Sequence, residues 1–326
     1  LIRKMRRSQK SFRKRVGVSN CGNSSSLLVC FLLQSKLHFF GCGNRFKKKI
    51  MNFKLNFVLI IFLAQISAFS QVEIQGIIID RKTNSALAFV NVGIINKNIG
   101  TVSDENGNFS IILDKKFDMD SLKFSIIGYK TKAFIVSEMR QNYSGKQKIV
   151  LEKANYKIEE IVVLPKEFKT KILGSQAQSR MMQAGFSSNI LGNEVGIRIN
   201  IKNAPTFVEN FNFYITQNEY DSLIFRLNIY TIEDDLPFEN ILTENIYLTT
   251  QIKYGAISFD LKKHNIYVEE DFIIALEWIK DLGEEGLYFA ASFANGPIFS
   301  RKASQGDWEE ASFIGLGFNV TAKYPK

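Results

Sequence analysis

Gly100-Thr101-Val102-Ser103-Asp104-Glu105-Asn106-Gly107-Asn108-Phe109 is the centre of the stretch, Glu73 to Lys130, whose reading decides the fold. The stretch opens Glu73-Ile74-Gln75-Gly76-Ile77-Ile78-Ile79-Asp80 and closes Leu122-Lys123-Phe124-Ser125-Ile126-Ile127-Gly128-Tyr129-Lys130. Asn106-Gly107 is its strongest local signal, because a two-residue type I′ hairpin needs positive φ at both central positions and Asn and Gly tolerate it. Thr101 and Val102 before the turn, and Phe109 to Leu113 after it, are rich in β-branched and aromatic residues. Leu122, Phe124 and Ile126 alternate with Lys123 and Ser125, the period of a half-buried strand. Gly128 then marks a bend or bulge. The expectation is a small antiparallel β-sandwich with a hairpin at Asn106-Gly107.

In order, the residues Gly76, Ile78 and Asp80; Val90, Asn91 and Val92; Gly100, Thr101, Asp104, Gly107 and Phe109; and Gly128 and Tyr129 follow a known pattern. Over about residues 72–152 the chain resembles the carboxypeptidase-regulatory-like domain common in exported proteins of Bacteroidetes-type bacteria. It departs from that pattern at Ala86-Leu87-Ala88-Phe89, where a Pro-containing turn is usual, and at Ser103, often Thr. The resemblance implies a seven-stranded, transthyretin-like sandwich that is usually non-catalytic. A calcium loop is the rival reading of the turn, since Asp104, Asn106 and Asn108 stand at positions one, three and five of an EF-hand pattern. Position six is Phe109 rather than Gly and position twelve is Lys115 rather than Glu, which favours a plain turn.

The formal charge of +10 is unevenly placed. Residues 1–50 hold 13 Lys or Arg and no Asp or Glu, leaving 29 basic against 32 acidic residues in 51–326. The body is mildly acidic and lacks the clustered cations that phosphate backbones require, so no nucleic-acid partner is expected. Cys21, Cys30 and Cys42 all lie in the first 50 residues, so the body has neither a disulfide framework nor thiol chemistry. Met51-Asn52-Phe53-Lys54, the apolar run from Phe57 to Ala64 and the small-x-small Ala68-Phe69-Ser70 read as a secretory signal peptide over 51–70. The run is shorter than the ~20 residues of a spanning helix, so no transmembrane span is expected after cleavage. Residues 1–50 read as non-native upstream translation, with a basic membrane or nucleic-acid arm as the rival.

Ile158-Glu159-Glu160-Ile161-Val162-Val163 is similar to the segment that follows this domain in large outer-membrane nutrient receptors, but too little chain remains for their barrel. An edge strand or linker is the plainer reading. The interval 153–190 is expected to be a linker, with a short helix within Lys166–Gly185, where Lys, Gln, Ala and Met dominate. From 191 to 326 short strands return. Val195, Ile197, Ile199 and Ile201 alternate with polar partners, and Leu223, Phe225, Leu227 and Ile229 are set against Arg226, Asn228 and Tyr230. Asp234-Asp235-Leu236-Pro237 signals a turn. About nine strands at roughly ten-residue spacing indicate a sandwich or barrel. The runs 225–230 and 271–278 resemble a jelly-roll module of similar exported proteins. An eight-stranded outer-membrane barrel fits the length, but the chain ends Tyr324-Pro325-Lys326 rather than on an aromatic. The fold expectation is all-β: a transthyretin-like and then a jelly-roll-like antiparallel sandwich behind a cleaved signal peptide.

Catalytic vocabulary is scarce. The body has one histidine, His264, expected in an exposed turn, so a two-histidine metal site and a Cys–His pair are both excluded there. No G-x-S-x-G elbow, P-loop or complete dinucleotide glycine pattern is present, and no cofactor is expected. Paired carboxylates remain, at Glu233-Asp234-Asp235, Glu269-Glu270-Asp271, Glu284-Glu285 and Glu309-Glu310; adjacent acids at turns are ordinarily just solvated. Trp308, in a polar loop, is the candidate glycan contact, with a rim residue covering the sandwich as the plainer reading; Trp278, between apolar neighbours, reads as core. The expectation is a non-enzymatic exported protein of the periplasm or outer-membrane surface that binds an envelope protein or glycan. Carbohydrate binding by the C-terminal sandwich is the alternative, and a glycosidase-type hydrolase stands behind both.

Overall fold

The structure, a computed structural model, describes residues 71–141, 145–154, 167–186, 188–283, 286–293 and 295–326. The leader, the signal peptide, the 158–163 segment and Glu284-Glu285 lie outside the described residues.

The N-terminal sandwich has seven strands in two sheets. In one, β1 (Gln71–Asp80) lies between β4 (Asn108–Asp114) and β7 (Gln147–Leu151). In the other, the order is β3 (Gly100–Val102), β2 (Asn91–Ile94), β5 (Ser121–Ser125) and β6 (Lys132–Ile135). The pairing is not wholly antiparallel, because β7 runs parallel to β1. A short helix, α1 (Val136–Gln141), links β6 toward β7 and buries Val136 and Met139. The period-two alternation drives assembly. Ile74 and Ile78 of β1, Phe109, Ile111 and Leu113 of β4, and Leu122 and Phe124 of β5 fill one core, each burial stabilising by ~1.5–3 kcal/mol. Phe124 sits edge-on to Phe109, with ring centroids 5.2 Å apart.

The turn at Asn106-Gly107 is real, but it is not a hairpin. Strands β3 and β4 belong to different sheets, so the chain crosses between layers there. Asp104 explains why. Its Oδ1 accepts the backbone N–H groups of Asn106 and Asn108, each at 2.8 Å, and Gly107 N–H closes onto the Asp104 carbonyl at 3.0 Å. This Asx turn bends the chain toward β1, where Ile78 N–H donates to the Gly107 carbonyl at 2.8 Å. Gly107 adopts φ 74°, and a Cβ there would lie 2.7 Å from the Ile78 carbonyl oxygen. The two-residue hairpin with positive φ at both centres occurs instead at Asp234 (49°) and Asp235 (60°). It joins β12 (Leu223–Glu233) to β13 (Leu236–Asn240).

The larger sandwich packs two sheets. The first has the order β13, β12, β17 (Phe272–Trp278), β10 (Glu194–Ile199), β19 (Ile298–Arg301), β20 (Glu309–Ala311), with β14 (Ile246–Thr250) also on β12. The second is built on β11 (Thr206–Asn218), which pairs with β15 (Gly255–Asp260), β16 (Tyr267–Val268), β18 (Leu287–Phe293) and β22 (Phe318–Pro325), and β21 (Ile314–Leu316) pairs with β18. Phe211, Phe213, Phe225, Phe289 and Phe318 interlock between the sheets, with the Phe289 and Phe318 centroids 5.0 Å apart.

The interval 153–190, expected as a linker with a short helix, contributes strands. β8 (Phe168–Gly174) runs antiparallel along β22 from Pro325 to Asn319, and β9 (Gln183–Ala184) pairs with β18. Composition misleads here because β8 is an exposed edge. All its residues but Leu173 face solvent, and Lys169 and Lys171 are the kind of charge that blocks further strand addition. Among the described residues no helix is long and apolar enough to cross a membrane.

Candidate functional site

Strand β12 divides its side chains by parity. Phe225, Leu227 and Ile229 enter the core, while Arg226, Asn228 and Tyr230 occupy the sheet's other face and are nevertheless buried. The N-terminal sandwich covers Arg226, while Trp308 packs over Tyr230. In β5, Leu122 and Phe124 face inward, so Lys123 and Ser125 lie on the outer face, and Asn91 of β2 is the cross-strand neighbour of Ser125.

Across that covered face runs one row of charges. Arg226 of β12 is opposite Glu277 of β17, Glu277 is opposite Glu194 of β10, and Glu194 is opposite Arg301 of β19. The order is plus, minus, minus, plus. Arg226 grips Glu277 with Nε and Nη2, each 2.7 Å from a carboxylate oxygen, the fork geometry that best repays desolvation. Arg301 Nη2 donates to Glu194 at the other end. Between the two carboxylates, Asn228 Nδ2 donates to Glu277 at 2.8 Å and to Glu194 at 3.0 Å, and Tyr230 donates to Glu194 at 3.0 Å. Adjacent like charges are thereby bridged by neutral donors.

Arg226 also crosses the junction. Nη1 donates to the Phe89 carbonyl at 2.7 Å and Nη2 donates to Asn91 Oδ1. In return, Asn245 donates Nδ2 to the Ile127 carbonyl at 3.0 Å. Phe89 holds φ 58°, the left-handed region, and its ring packs 5.3 Å from Tyr247. The segment that departs from the family pattern, Ala86 to Phe89, is thus part of the docking surface, and Phe89 and Val102 close an apolar patch on Ile279. A third contact uses glycine. A Cβ on Gly93 or Gly100 would lie 2.2 or 2.3 Å from the Ser304 carbonyl oxygen, so both positions are bare because the loop after β19 presses on them.

Burial sets the titration of this row. Burial pushes the Glu194 carboxyl up to about 7 against the opposing pull of Arg301. Burial acts on Glu277 in the same way, but the bidentate Arg226 outweighs it and holds that carboxyl below the ordinary value. Burial, with Glu194 adding to it, raises the Tyr230 phenol well above its usual range.

Beside the row the two sandwiches part to leave a polar cleft of about 540 Å³. Lys123, Ser125 and Tyr129 line it from one side; Asn240, Arg301 and Gln305 line it from the other. Phe238 stands at its edge, 54% exposed. Gln305 Nε2 donates to Ser125 Oγ across the cleft at 2.9 Å.

The sequence candidates fall elsewhere. Trp308 is half-buried, edge-on to Tyr230 with centroids 5.5 Å apart, and the Arg301 guanidinium lies 5.0 Å over its ring. Trp278 is in the core. His264 lies, as expected, in a turn between strands, a 3₁₀ turn whose Lys262 and Lys263 are exposed, but its own side chain is only 12% exposed, with Nδ1 2.6 Å from Glu244 Oε1. Asp235 and Asp271 both pair with Arg198, and Glu309 pairs with Lys302. Among the described residues no group of His, Cys, Asp or Glu is arranged to hold a metal ion. The acids brought together, Glu194 and Glu277, were not among the candidates. Their one sequence signal is a charge at the outward parity of an otherwise apolar strand, as in Leu276-Glu277-Trp278.

Residues 74–163 match the family model of the CarboxypepD_reg-like domain. No curated protein matches the chain. Among solved structures, the infectious bursal disease virus VP2 subviral particle is similar at 9% identity and a TM-score of 0.23. That alignment covers 78% of this chain and 62% of the viral one.

Proposed function

With a CarboxypepD_reg-like domain at residues 74–163 as the premise, we propose that the protein is a non-catalytic, exported binding module of the cell envelope whose ligand site is the cleft between its two sandwiches. The observation that carries this reading is the closed charge row. The side chains best equipped for chemistry, Glu194, Glu277, Arg226 and Arg301, neutralise one another in the junction. General acid–base catalysis needs a carboxyl free to meet a substrate, and both of these are capped by guanidinium groups. Half of what lines the cleft is hydroxyl or amide, groups that recognise without reacting. Export is supported by the signal-peptide pattern over 51–70 and by the absence of cysteine from the body.

The experiment is photo-crosslinking in cells with a benzophenone amino acid at Phe238. A discrete adduct with an envelope component supports the reading. Adducts with cytoplasmic proteins alone, or turnover of chromogenic glycosides by purified protein, sink it. Carbohydrate is favoured as ligand by one observation: an exposed aromatic ring, Phe238, beside a wall of amides and hydroxyls, the combination that fits the apolar face and the hydroxyl rim of a sugar. Under this reading the sugar site is the cleft rather than Trp308, whose ring is already covered by Arg301.

A further inference from the structure

We infer that the cleft binds an acidic sugar, with the sugar's carboxylate seated between Lys123 of the N-terminal sandwich and Arg301 of the larger one. The inference rests on the cleft being the ligand site and adds the class of ligand.

The cleft carries more cationic capacity than the protein itself uses. Lys123 lines it on β5, and among the described residues no carboxylate lies within ion-pairing distance of its ammonium. Lysines that pair in this fold do so at the surface, such as Lys280 with Glu105 at 2.7 Å, whereas Lys123 is half-buried and unpaired. Arg301 lines the same cleft with 11% of its side chain exposed. Its Nη2 donates to Glu194 and, at 3.3 Å, to the Tyr230 hydroxyl. Burial, and then the neighbouring Arg301 charge, push the Lys123 ammonium down from its ordinary value. Two cations so placed repel each other, and an anion between them relieves that repulsion. Among the described residues Glu239 is the one acid on the cleft wall; it is exposed at the rim, where water screens it.

The rest of the wall decides between a bare anion and a sugar acid. Ser125, Tyr129, Asn240 and Gln305 offer hydroxyl and amide groups from both sandwiches, and exposed Phe238 offers an aromatic face. An inorganic anion has no use for an aromatic face, whereas a pyranose stacks on one and exchanges hydrogen bonds with hydroxyls and amides. The volume of about 540 Å³ lies within the ~300–1,000 Å³ typical of small-molecule sites.

The test is calorimetric titration of the full exported chain with trigalacturonate, trimannuronate and sialyllactose, beside their neutral counterparts galactotriose, mannotriose and lactose. At least one acidic sugar is expected to bind and its neutral counterpart to bind about tenfold or more weakly, as loss of a charge-assisted hydrogen bond implies. Lys123→Gln is expected to produce a similar loss without lowering the thermal midpoint, since Lys123 makes no ion pair in the fold and its charge is penalised by burial and by Arg301. Binding of acidic and neutral sugars with equal affinity overturns the inference. So does indifference to Lys123→Gln, and so does equal competition by inorganic phosphate. If the Phe238 crosslinker captures an uncharged envelope component while no acidic sugar binds, the cleft stands as the site and the ligand class falls; if neither occurs, both fall.

Discussion

Tyr129 donates its phenolic hydrogen to Asp80 at 2.9 Å, joining the end of the N-terminal motif to its beginning. Asp80 also accepts the backbone N–H groups of Lys82 and Thr83, each at 2.7 Å, so one carboxylate fixes the first turn and ties it to the last. The Thr83 amide, then Tyr129, hold the Asp80 carboxyl at about 2. Because the unfolded chain protonates first, near 3.8, the stability from Asp80 is complete above that pH and is lost as pH falls toward 2. Tyr129→Phe is expected to raise the Asp80 pKa and shrink this acid-side loss. Thermal melts between pH 2 and 6, with Asp80 followed by NMR, measure both.

At the alkaline end, burial and then the Asp80 hydrogen bond push Tyr129 up to about 12. The unfolded phenol ionises near 10, so stability falls as pH rises from 10 to 12. Asp80→Asn is expected to shift this loss to lower pH, read from tyrosinate absorbance on titration of the folded protein.

Arg226→Met removes one partner of a buried pair and leaves Glu277 uncompensated. The expected cost is about 3–5 kcal/mol. Adding Glu277→Leu is expected to restore much of it, since a matched apolar pair replaces the ion pair. Urea denaturation of both variants checks the order. A double variant no better than the single would show that the bonds from Arg226 to Phe89 and Asn91 dominate.

Glu194 predicts a different pH dependence. Its folded pKa near 7 lies above the ordinary 4.5, so the folded state binds this proton more tightly between those values. Stability from this site therefore falls as pH rises from 4.5 to 7. Glu194→Gln is expected to flatten the slope in that window, measured as the urea midpoint at pH 5 and pH 8.

Asp104→Ala removes the acceptor for Asn106 and Asn108 N–H and is expected to cost roughly 1–2 kcal/mol. Calcium is expected to leave the melting temperature of the native chain unchanged, because local amides already occupy Asp104 Oδ1. A calcium-dependent rise would restore the metal-loop reading.

Much of this architecture was legible in alternation. Leu122-Lys123-Phe124 and Phe225-Arg226-Leu227 announce strands because side-chain parity is a local property. Pairing partners are not local. Asn106-Gly107 advertises a reversal equally well within a sheet or between two, and only the Asp104 side chain tips it to the second. Strand β8 was hidden for the opposite reason: an exposed edge has no apolar face to alternate. The site was half visible. Arg226, Asn228 and Tyr230 read as one polar face, but a polar face ordinarily meets water, and what covers Arg226 lies more than a hundred residues away. Nor does spacing place Glu277, Glu194 and Arg301 in one row, since that follows from strand order. Trp308 drew notice as a lone indole in a polar loop, and the structure packs it behind Tyr230.

The bare backbones of Gly93 and Gly100 under the Ser304 carbonyl have a consequence for modular inheritance. A unit moved freely from gene to gene would be expected to carry its own finished exterior. Here two of its surface positions are shaped by a loop of the other sandwich, so transplanting either half alone leaves a dent without its matching bump. In this chain the pair is one heritable object.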